Sequence, residues 1–218
     1  MSLTVNRLLR AIGWLFIAVG TLVLLYLVYS LLYTNRATEQ AQEVLREQWE
    51  LQLADGEEGT DAGDDDGDDP ARPVSAGDAV AALTFRRPGV SKPLVHKDPL
   101  YVVTGVSLSD LQRGPGHYPG TAMPGEDGNF AVAGHRTTYG APFFNLDQLR
   151  RNDEIVVIAP DGEEYVYTVR RQEIVAPGET WVIAPDPLVR GKPLLTLTTC
   201  NPRFSNAQRL IVFAELAA

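Results

Sequence analysis

The chain has 218 residues and a formal net charge of −9, which allows one domain of ordinary size with appendages. Nine of its 28 acidic residues lie between Asp55 and Asp69, where there is no Lys or Arg, so the rest of the chain holds 19 acids and 19 bases. The acidity therefore belongs to one segment, and nucleic acid is excluded as a partner because no basic surface is indicated to neutralise phosphates.

The first predicted element is a membrane span. Residues 11–33 contain no charged side chain, and as a helix they would extend about 34 Å, against a hydrocarbon core of about 30 Å. A cleavable signal peptide is the alternative, but its apolar region is typically about 7 to 15 residues and precedes a small-residue cleavage site, which is not seen here. Arg7 and Arg10 favour a cytoplasmic amino terminus, residues 1–10. We therefore expect a single-pass cell-membrane protein with its body outside.

Two connecting segments follow the span. Residues 34–53 read as a polar helical stalk with a thin apolar stripe that includes Leu45 and Trp49. Residues 54–76 are rich in Asp, Gly and Pro and predict a disordered acidic linker, because they cannot bury enough surface to offset their ordering entropy. The Asp cluster does not have the ligand spacing or closing Glu of a calcium loop, so no metal is expected there.

The residue pattern of positions 77–218 predicts an all-β domain. Short runs rich in Val, Ile, Tyr and Thr alternate with turn residues, helical signal is limited to residues 107–111 and 144–149, and Pro160-Asp161-Gly162 indicates a hairpin. Seven or eight short strands in this length predict a single closed barrel or a sandwich. The runs are Val80–Phe85, Leu100–Val103, Phe130–Ala133, Ile155–Ile158, Tyr165–Val169, Leu194–Thr199 and Leu210–Phe213.

The candidate site contains the only cysteine, Cys200, at the end of a predicted strand that Pro202 should stop. Arg209 precedes the next strand, and His135 follows the strand that ends at Ala133. Three such residues at strand ends are expected to share one rim. The alternatives are a cysteine that serves as a small buried hydrophobe and a loop histidine satisfied by its neighbours.

The chemistry that suits this trio is acyl transfer. A cysteine attacks a carbonyl as its thiolate, a histidine can exchange the proton, and the fixed charge of an arginine can stabilise an oxyanion. Zinc is the competing use of cysteine and histidine, but one Cys with scattered His residues does not form the paired ligand spacing that zinc needs. We expect no cofactor and no metal.

These motifs resemble the sortases, membrane-anchored cysteine transpeptidases of Gram-positive envelopes. The matching runs are Thr198-Thr199-Cys200 with Arg209, Ala133-Gly134-His135, and a segment from Gly114 to Ala122 that looks specifically like class E. The resemblance implies an eight-stranded barrel with Cys200 as nucleophile, His135 as general acid and base, and Arg209 as oxyanion clamp. The usual Ile-Pro first strand of the family is not evident, so the register of the first two strands is left open.

The resemblance also implies substrate contacts. Tyr118 matches the tyrosine that class E members place near the second position of the sorting signal, with His117 beside it. Thr199 would line the same groove. Residues 176–192, which carry Trp181, match the loop that covers the first residues of the signal.

The expected activity is cleavage of a Leu-Ala-x-Thr-Gly or Leu-Pro-x-Thr-Gly signal between Thr and Gly through a thioacyl-enzyme. The expected partners are secreted proteins that bear the signal, an amine of a peptidoglycan precursor as acceptor, and the membrane through residues 11–33. Two alternatives stay open: a sortase that polymerises pilins, and an inactive membrane-anchored binding barrel. An L,D-transpeptidase is disfavoured because its Ser-His-Gly-Cys run is absent.

Overall fold

The structure is a computed structural model that describes residues 3–58, 79–189 and 191–217. Most of the predicted acidic linker, residues 59–76, therefore lies outside the described residues. The helices and strands, in chain order, are α1 (Leu3–Glu58), β1 (Ala79–Arg86), β2 (Leu100–Thr104), α2 (Leu108–Arg113), β3 (Gly116–His117), β4 (Asn129–Ala133), a 3₁₀ helix (Leu146–Gln148), β5 (Glu154–Ile158), β6 (Glu164–Val175), a second 3₁₀ helix (Thr180–Ile183), β7 (Leu194–Asn201) and β8 (Gln208–Leu216).

The strands form a closed barrel in the order β1-β2-β3-β4-β7-β8-β6-β5. The β2–β3 and β4–β7 pairs are parallel and the others antiparallel. The predicted eight-stranded barrel is confirmed, and the open register of the first two strands is now defined, with Leu83 opposite Leu100. The sequence pattern missed β3 because two residues are too few to show a period.

The period-two pattern separates the two faces of each strand. On β7, Leu195 and Leu197 belong to the barrel core, as do Leu210 and Val212 on β8. The residues between them point outward, because successive side chains of a strand lie on opposite faces. The outer face of β7 and β8 therefore carries Thr196, Thr198 and Cys200 opposite Phe213, Ile211 and Arg209.

The short connections follow local rules. Helix α2 starts at a capping box in which Ser107 and Asp110 exchange side-chain and backbone hydrogen bonds. The hairpin between β5 and β6 turns at Gly162, whose φ of +85° suits glycine. The run 144–149 forms a single 3₁₀ turn.

Helix α1 is one continuous helix of 56 residues. Its segment Leu9–Tyr26 has a mean hydropathy of 1.9 and none of it is buried, which is compatible with a single-pass membrane anchor. The helix also continues through Glu58, so the first five residues of the predicted disordered linker, 54–58, are helical.

The predicted stalk is not a free helix. Leu45 and Trp49 are 0% and 3% exposed, because the thin apolar stripe packs on the barrel. The amide of Gln42 donates to the carbonyls of Tyr101 and Arg113 and accepts from the backbone N–H of Tyr101. The prediction was incomplete because a stripe of few residues does not show what it packs against. The residues on the barrel side of this contact are Ala79, Ala82, Tyr101 and Val103.

Candidate active site

Cys200 and Arg209 face each other across the antiparallel β7–β8 pair, where their Cα atoms are register partners. Directly opposed side chains on such a pair lie on the same face, with Cβ atoms about 4.5–5.5 Å apart. Arg209 lies within β8 rather than just before it, because β8 starts two residues earlier than the apolar run. The Cys200 thiol is free and half-buried, so a thiol and a guanidinium share one accessible surface.

His135 lies at the same rim because β4 and β7 are parallel. Ala133 is the register partner of Thr198, and the backbone N–H of Gly134 extends this pairing by donating to the carbonyl of Thr198 at 3.0 Å. His135 and Cys200 are each two residues beyond that pair. The three predicted residues therefore meet at one end of the barrel.

The imidazole of His135 is largely enclosed. Its Nδ1 lies 3.3 Å from the hydroxyl of Thr138, and the ring of Tyr139 is 4.8 Å away between centroids. Its Nε2 is buried and has no hydrogen-bond partner among the residues that the structure describes. Burial lowers the pKa of His135 below its usual value because the charged form is desolvated. At neutral pH the ring is therefore predominantly uncharged and can accept a proton.

The guanidinium of Arg209 bends toward its own loop. Its Nη1 donates to the carbonyls of Asn206 and Gln208, both at 3.0 Å. Within the described part of the chain, Nε and Nη2 have no hydrogen-bond partner, so the other side of the planar fork can take an acceptor.

An arginine that the sequence pattern did not single out connects the loop after β4 with the end of β7. Arg136 is 3% exposed, forms an ion pair with Asp147 at 3.1 Å, and places Nη1 3.4 Å from the carbonyl of Cys200. Arg203 from the β7–β8 loop bonds the same carboxylate at 2.7 Å and stacks on Phe144. Burial lowers the pKa of Arg136, but Asp147 opposes that shift. The network holds the backbone of the cysteine against the histidine loop.

Tyr118 lies on the outer face, where its hydroxyl is 3.0 Å from that of Thr198. Thr199, which was predicted to line the substrate groove, lies on the inner face of β7. Its side chain is 3% exposed and its hydroxyl donates to the carbonyl of Gly134 at 2.7 Å. Thr198 lies on the outer face instead and is 4% exposed, because the alternation that turns Leu197 inward also turns Thr199 inward.

His117 was predicted beside Tyr118 as a substrate contact, and the structure places its side chain on the opposite, inner face of the sheet. His117 is opposite Val132 in the β3–β4 pair and points into the barrel, with its ring 5.1 Å from that of Phe130. Its Nε2 lies 2.9 Å from the hydroxyl of Thr121. Burial lowers the pKa of His117, so it is a neutral packing residue.

The loop between β6 and β7 covers the outer face of β7 and β8. Trp181 stacks on Phe213 at 5.8 Å between ring centroids and is 37% exposed, while Val182 is buried. The buried amide of Asn129 donates to the carbonyls of Val182 and Ala184 and accepts from the hydroxyl of Thr196, which is also fully buried. Trp181 thus lies on the outer face of β8, beside Phe213. Asn129, which the sequence pattern did not indicate, holds the loop through its two hydrogen bonds.

A cavity of about 670 Å³ lies between α1 and the barrel. Tyr139 and Gly140 line it, but Cys200 does not, so the cavity is behind the histidine loop rather than over the thiol. Among the residues that the structure describes, no three His, Cys, Asp or Glu side chains are grouped so that they could hold a metal ion.

Comparisons with known proteins agree with this geometry. A model of the sortase domain matches residues 94–217. Sortase SrtE1 of Streptomyces coelicolor is 33% identical over 95% of this chain, which spans 56% of that protein's length, and SrtE2 of the same organism is 30% identical over 94% of this chain and 80% of its own.

Solved structures show the same relationship. Sortase E from Streptomyces avermitilis superposes with a TM-score of 0.55 at 36% identity, over 66% of this chain and 91% of that one. The SrtF sortase from Corynebacterium diphtheriae gives 0.60 at 30% identity, over 71% and 92%. The chain therefore belongs to the sortase family and is a class E-like member of it.

Proposed function

We propose that the protein is a membrane-anchored cysteine transpeptidase that cleaves a C-terminal sorting signal between Thr and Gly and transfers the acyl group to an amine. The observation that carries this proposal is the strand register, which brings three residues to one end of the barrel. The Cys200–Arg209 pair on β7 and β8 lies beside the end of β4, which leads into His135. A nucleophile, a base and a fixed positive charge then surround one peptide carbonyl.

The reaction has two balanced halves. The sulfur of Cys200 bonds to the threonine carbonyl carbon as its proton passes to His135, and the carbon–nitrogen bond to glycine breaks as His135 protonates the leaving amine. The acceptor amine then attacks the thioester carbon and gives a proton to His135, the carbon–sulfur bond breaks, and His135 returns that proton to the released sulfur of Cys200. Arg209 stabilises the oxyanion of both tetrahedral intermediates through its free N–H groups.

The protonation and hydrogen bonding of His135 support its role as a base. Its pKa is lowered by burial, and the Nε2 atom without a partner is available for proton exchange. Because the acid form is disfavoured, we expect the acid limb of kcat/KM to lie below the usual histidine pKa of about 6.5.

Substrate selection is assigned to the outer groove of β4, β7 and β8. The paired hydroxyls of Tyr118 and Thr198 form its polar wall, and Trp181 forms its apolar flank. A hydroxyl pair of this kind offers a hydrogen bond to the peptide backbone at the second signal position, which we propose is alanine or proline.

The partners follow from the anchor and the reaction. Residues 11–33 hold the protein in the membrane with the barrel outside, because Arg7 and Arg10 precede the span. The donors are secreted proteins with a sorting signal, and the acceptor is an amine of a peptidoglycan precursor.

The test compares wild type with Cys200→Ala on a Leu-Ala-x-Thr-Gly peptide, with and without a peptidoglycan stem peptide that carries a free amine, followed by mass spectrometry. We expect a transpeptidation product only from wild type, with the circular dichroism of both proteins unchanged. Cleavage by Cys200→Ala would overturn the assignment. A pilin-type lysine peptide accepted in place of the stem would indicate a polymerase, and a Cys200 inert to a thiol-reactive probe would indicate a binding barrel.

A further inference from the structure

Helix α1 connects the membrane to the barrel without a break, and its contacts define which end of the barrel is nearer the membrane. Asn35 is two residues, or about 3 Å of helix rise, beyond the uncharged run that ends at Tyr33. Its side-chain oxygen accepts from the backbone N–H of Gly140 at 3.1 Å. Thr38, one turn further on, donates to the carbonyl of Gln112 at 2.8 Å.

The far end of the docked segment contacts the opposite end of the barrel. Leu53 and Ile158, the last residue of β5, pack against the same apolar cluster, and Leu53 lies beside Gly162 in the hairpin that follows. Asn35 and Leu53 are separated by about 27 Å of helix. Since β4 and β7 end at the catalytic rim, the antiparallel pairings β7–β8, β8–β6 and β6–β5 place the end of β5 at the other end.

The contact nearest the membrane is made with the histidine loop itself. Gly140 is the central residue of a turn in which Tyr139, Gly140 and Ala141 have φ values of 52°, 70° and 46°. Non-glycine residues stay in this region only where surrounding contacts hold them. The ring of Tyr139 contacts that of His135 at a tilt of 39°, so the support from Asn35 reaches the catalytic histidine.

We propose that α1 is a rigid strut that holds the catalytic rim at a fixed height at the membrane surface. This inference rests on the transpeptidase function proposed above. The strut is continuous from the span through Leu53, and its burial of Leu45 and Trp49 prevents the barrel from swinging about the anchor. A polypeptide tethered to the same membrane would then meet the catalytic rim only where its signal lies at that height.

The decisive variant raises the barrel without changing its docking. The variant inserts seven residues, Ala-Glu-Ala-Ala-Lys-Ala-Ala, between Tyr33 and Thr34 of the full chain. The insertion adds about two helical turns, which lengthens the helix by about 10 Å and rotates its docked face by only about 20°. The matched control carries the same insertion after Gly63, within the acidic segment, which leaves the strut unaltered.

The first readout is distance and needs no activity. Because Cys200 is the only cysteine, a thiol-reactive fluorophore labels that position alone, and energy transfer to an acceptor lipid in phosphatidylglycerol–phosphatidylethanolamine vesicles reports its height. We expect the strut insertion to lengthen the fluorophore–membrane distance by about 10 Å and the control to leave it unchanged. Equal distances in wild type and the strut insertion would overturn the proposal.

The second readout compares two substrates. One is a Leu-Ala-x-Thr-Gly segment followed by a membrane helix in the same vesicles, and the other is the soluble peptide. We expect the strut insertion to cut cleavage of the inserted substrate about tenfold or more while cleavage of the soluble peptide stays at the wild-type level. An equal loss on both substrates, or no loss on either, would contradict the strut. A wild type that cleaves neither substrate would contradict the transpeptidase assignment instead, and the distance readout would still decide the strut.

Discussion

The hydroxyl groups of Tyr118 and Thr198 lie 3.0 Å apart on the outer face of the barrel, two strand positions before Cys200. The bond connects the loop that follows β3 with the middle of β7, so each hydroxyl positions the other. A peptide that runs along this face toward the thiol would pass both groups before it reaches the sulfur.

We therefore predict energetic coupling between Tyr118→Phe and Thr198→Val. A double-mutant cycle on kcat/KM for a Leu-Ala-x-Thr-Gly peptide should give a coupling energy of about 0.5–1.5 kcal/mol, because either change alone already breaks the bond. The same four enzymes should be assayed with Leu-Pro-x-Thr-Gly to show whether the pair sets the preference between the signals. Strict additivity of the two losses would contradict a shared role.

The second prediction concerns the charge opposite the thiol. Arg209→Lys keeps the charge but loses the planar fork, so we expect kcat to fall about 100- to 1,000-fold while thermal stability changes little, since the side chain is only half-buried. Arg151→Ala, which alters an exposed arginine elsewhere, is the control and should retain wild-type kcat. A lysine variant with near-normal turnover would mean that Arg209 contributes only binding.

Much of this arrangement could be predicted from the sequence because strands leave a local signature. The alternation in β7 and the proline after it located Cys200 at a strand end, and the position of Arg209 just before an apolar run located its partner. The same alternation contained the information that Thr198, and not Thr199, lies on the outer face of the barrel. Two adjacent threonines hide the period, and it becomes visible only when the count starts from Leu195 and Leu197.

Other features depend on contacts between distant segments and had no such signature. His117 follows a glycine-rich run, so its inward orientation is determined only by the two-residue strand β3 and its pairing with β4. The docking of Leu45 and Trp49 is likewise visible only once the outer faces of β1 and β2 are known. Asn129 resembles an ordinary turn residue until the loop that contains Val182, 53 residues further along the chain, folds back over it.

The third prediction concerns acid sensitivity. Burial lowers the pKa values of His117 and His135, so below the unfolded value of about 6.5 the unfolded chain binds protons that the folded chain does not. The free energy of unfolding should therefore fall as the pH decreases from about 7 to 5, by at most about 1.4 kcal/mol per pH unit for each histidine.

His117→Gln should make that pH dependence shallower and leave cleavage intact, because this side chain packs inside the barrel. Chemical unfolding of the detergent-solubilised chain at several pH values, followed by near-ultraviolet circular dichroism, measures the slope. The idea fails if the variant and wild type lose stability in parallel, or if the variant loses activity on the peptide at neutral pH.

The last prediction concerns the loop fastened by Asn129. Asn129→Asp keeps an oxygen for the hydroxyl of Thr196 but cannot donate to the carbonyls of Val182 and Ala184, which then lose a buried partner at a cost of about 1–3 kcal/mol. The loop should open more often, so we expect limited proteolysis within residues 176–192 to accelerate and KM for the signal peptide to rise several-fold. Thr196→Val is the matched control, because it removes the hydroxyl and leaves both donor bonds of Asn129 in place. We expect kcat to stay within about twofold in both variants and KM to rise only in Asn129→Asp. A KM that rises equally in Thr196→Val would contradict a role for the donor bonds of Asn129 in holding the loop.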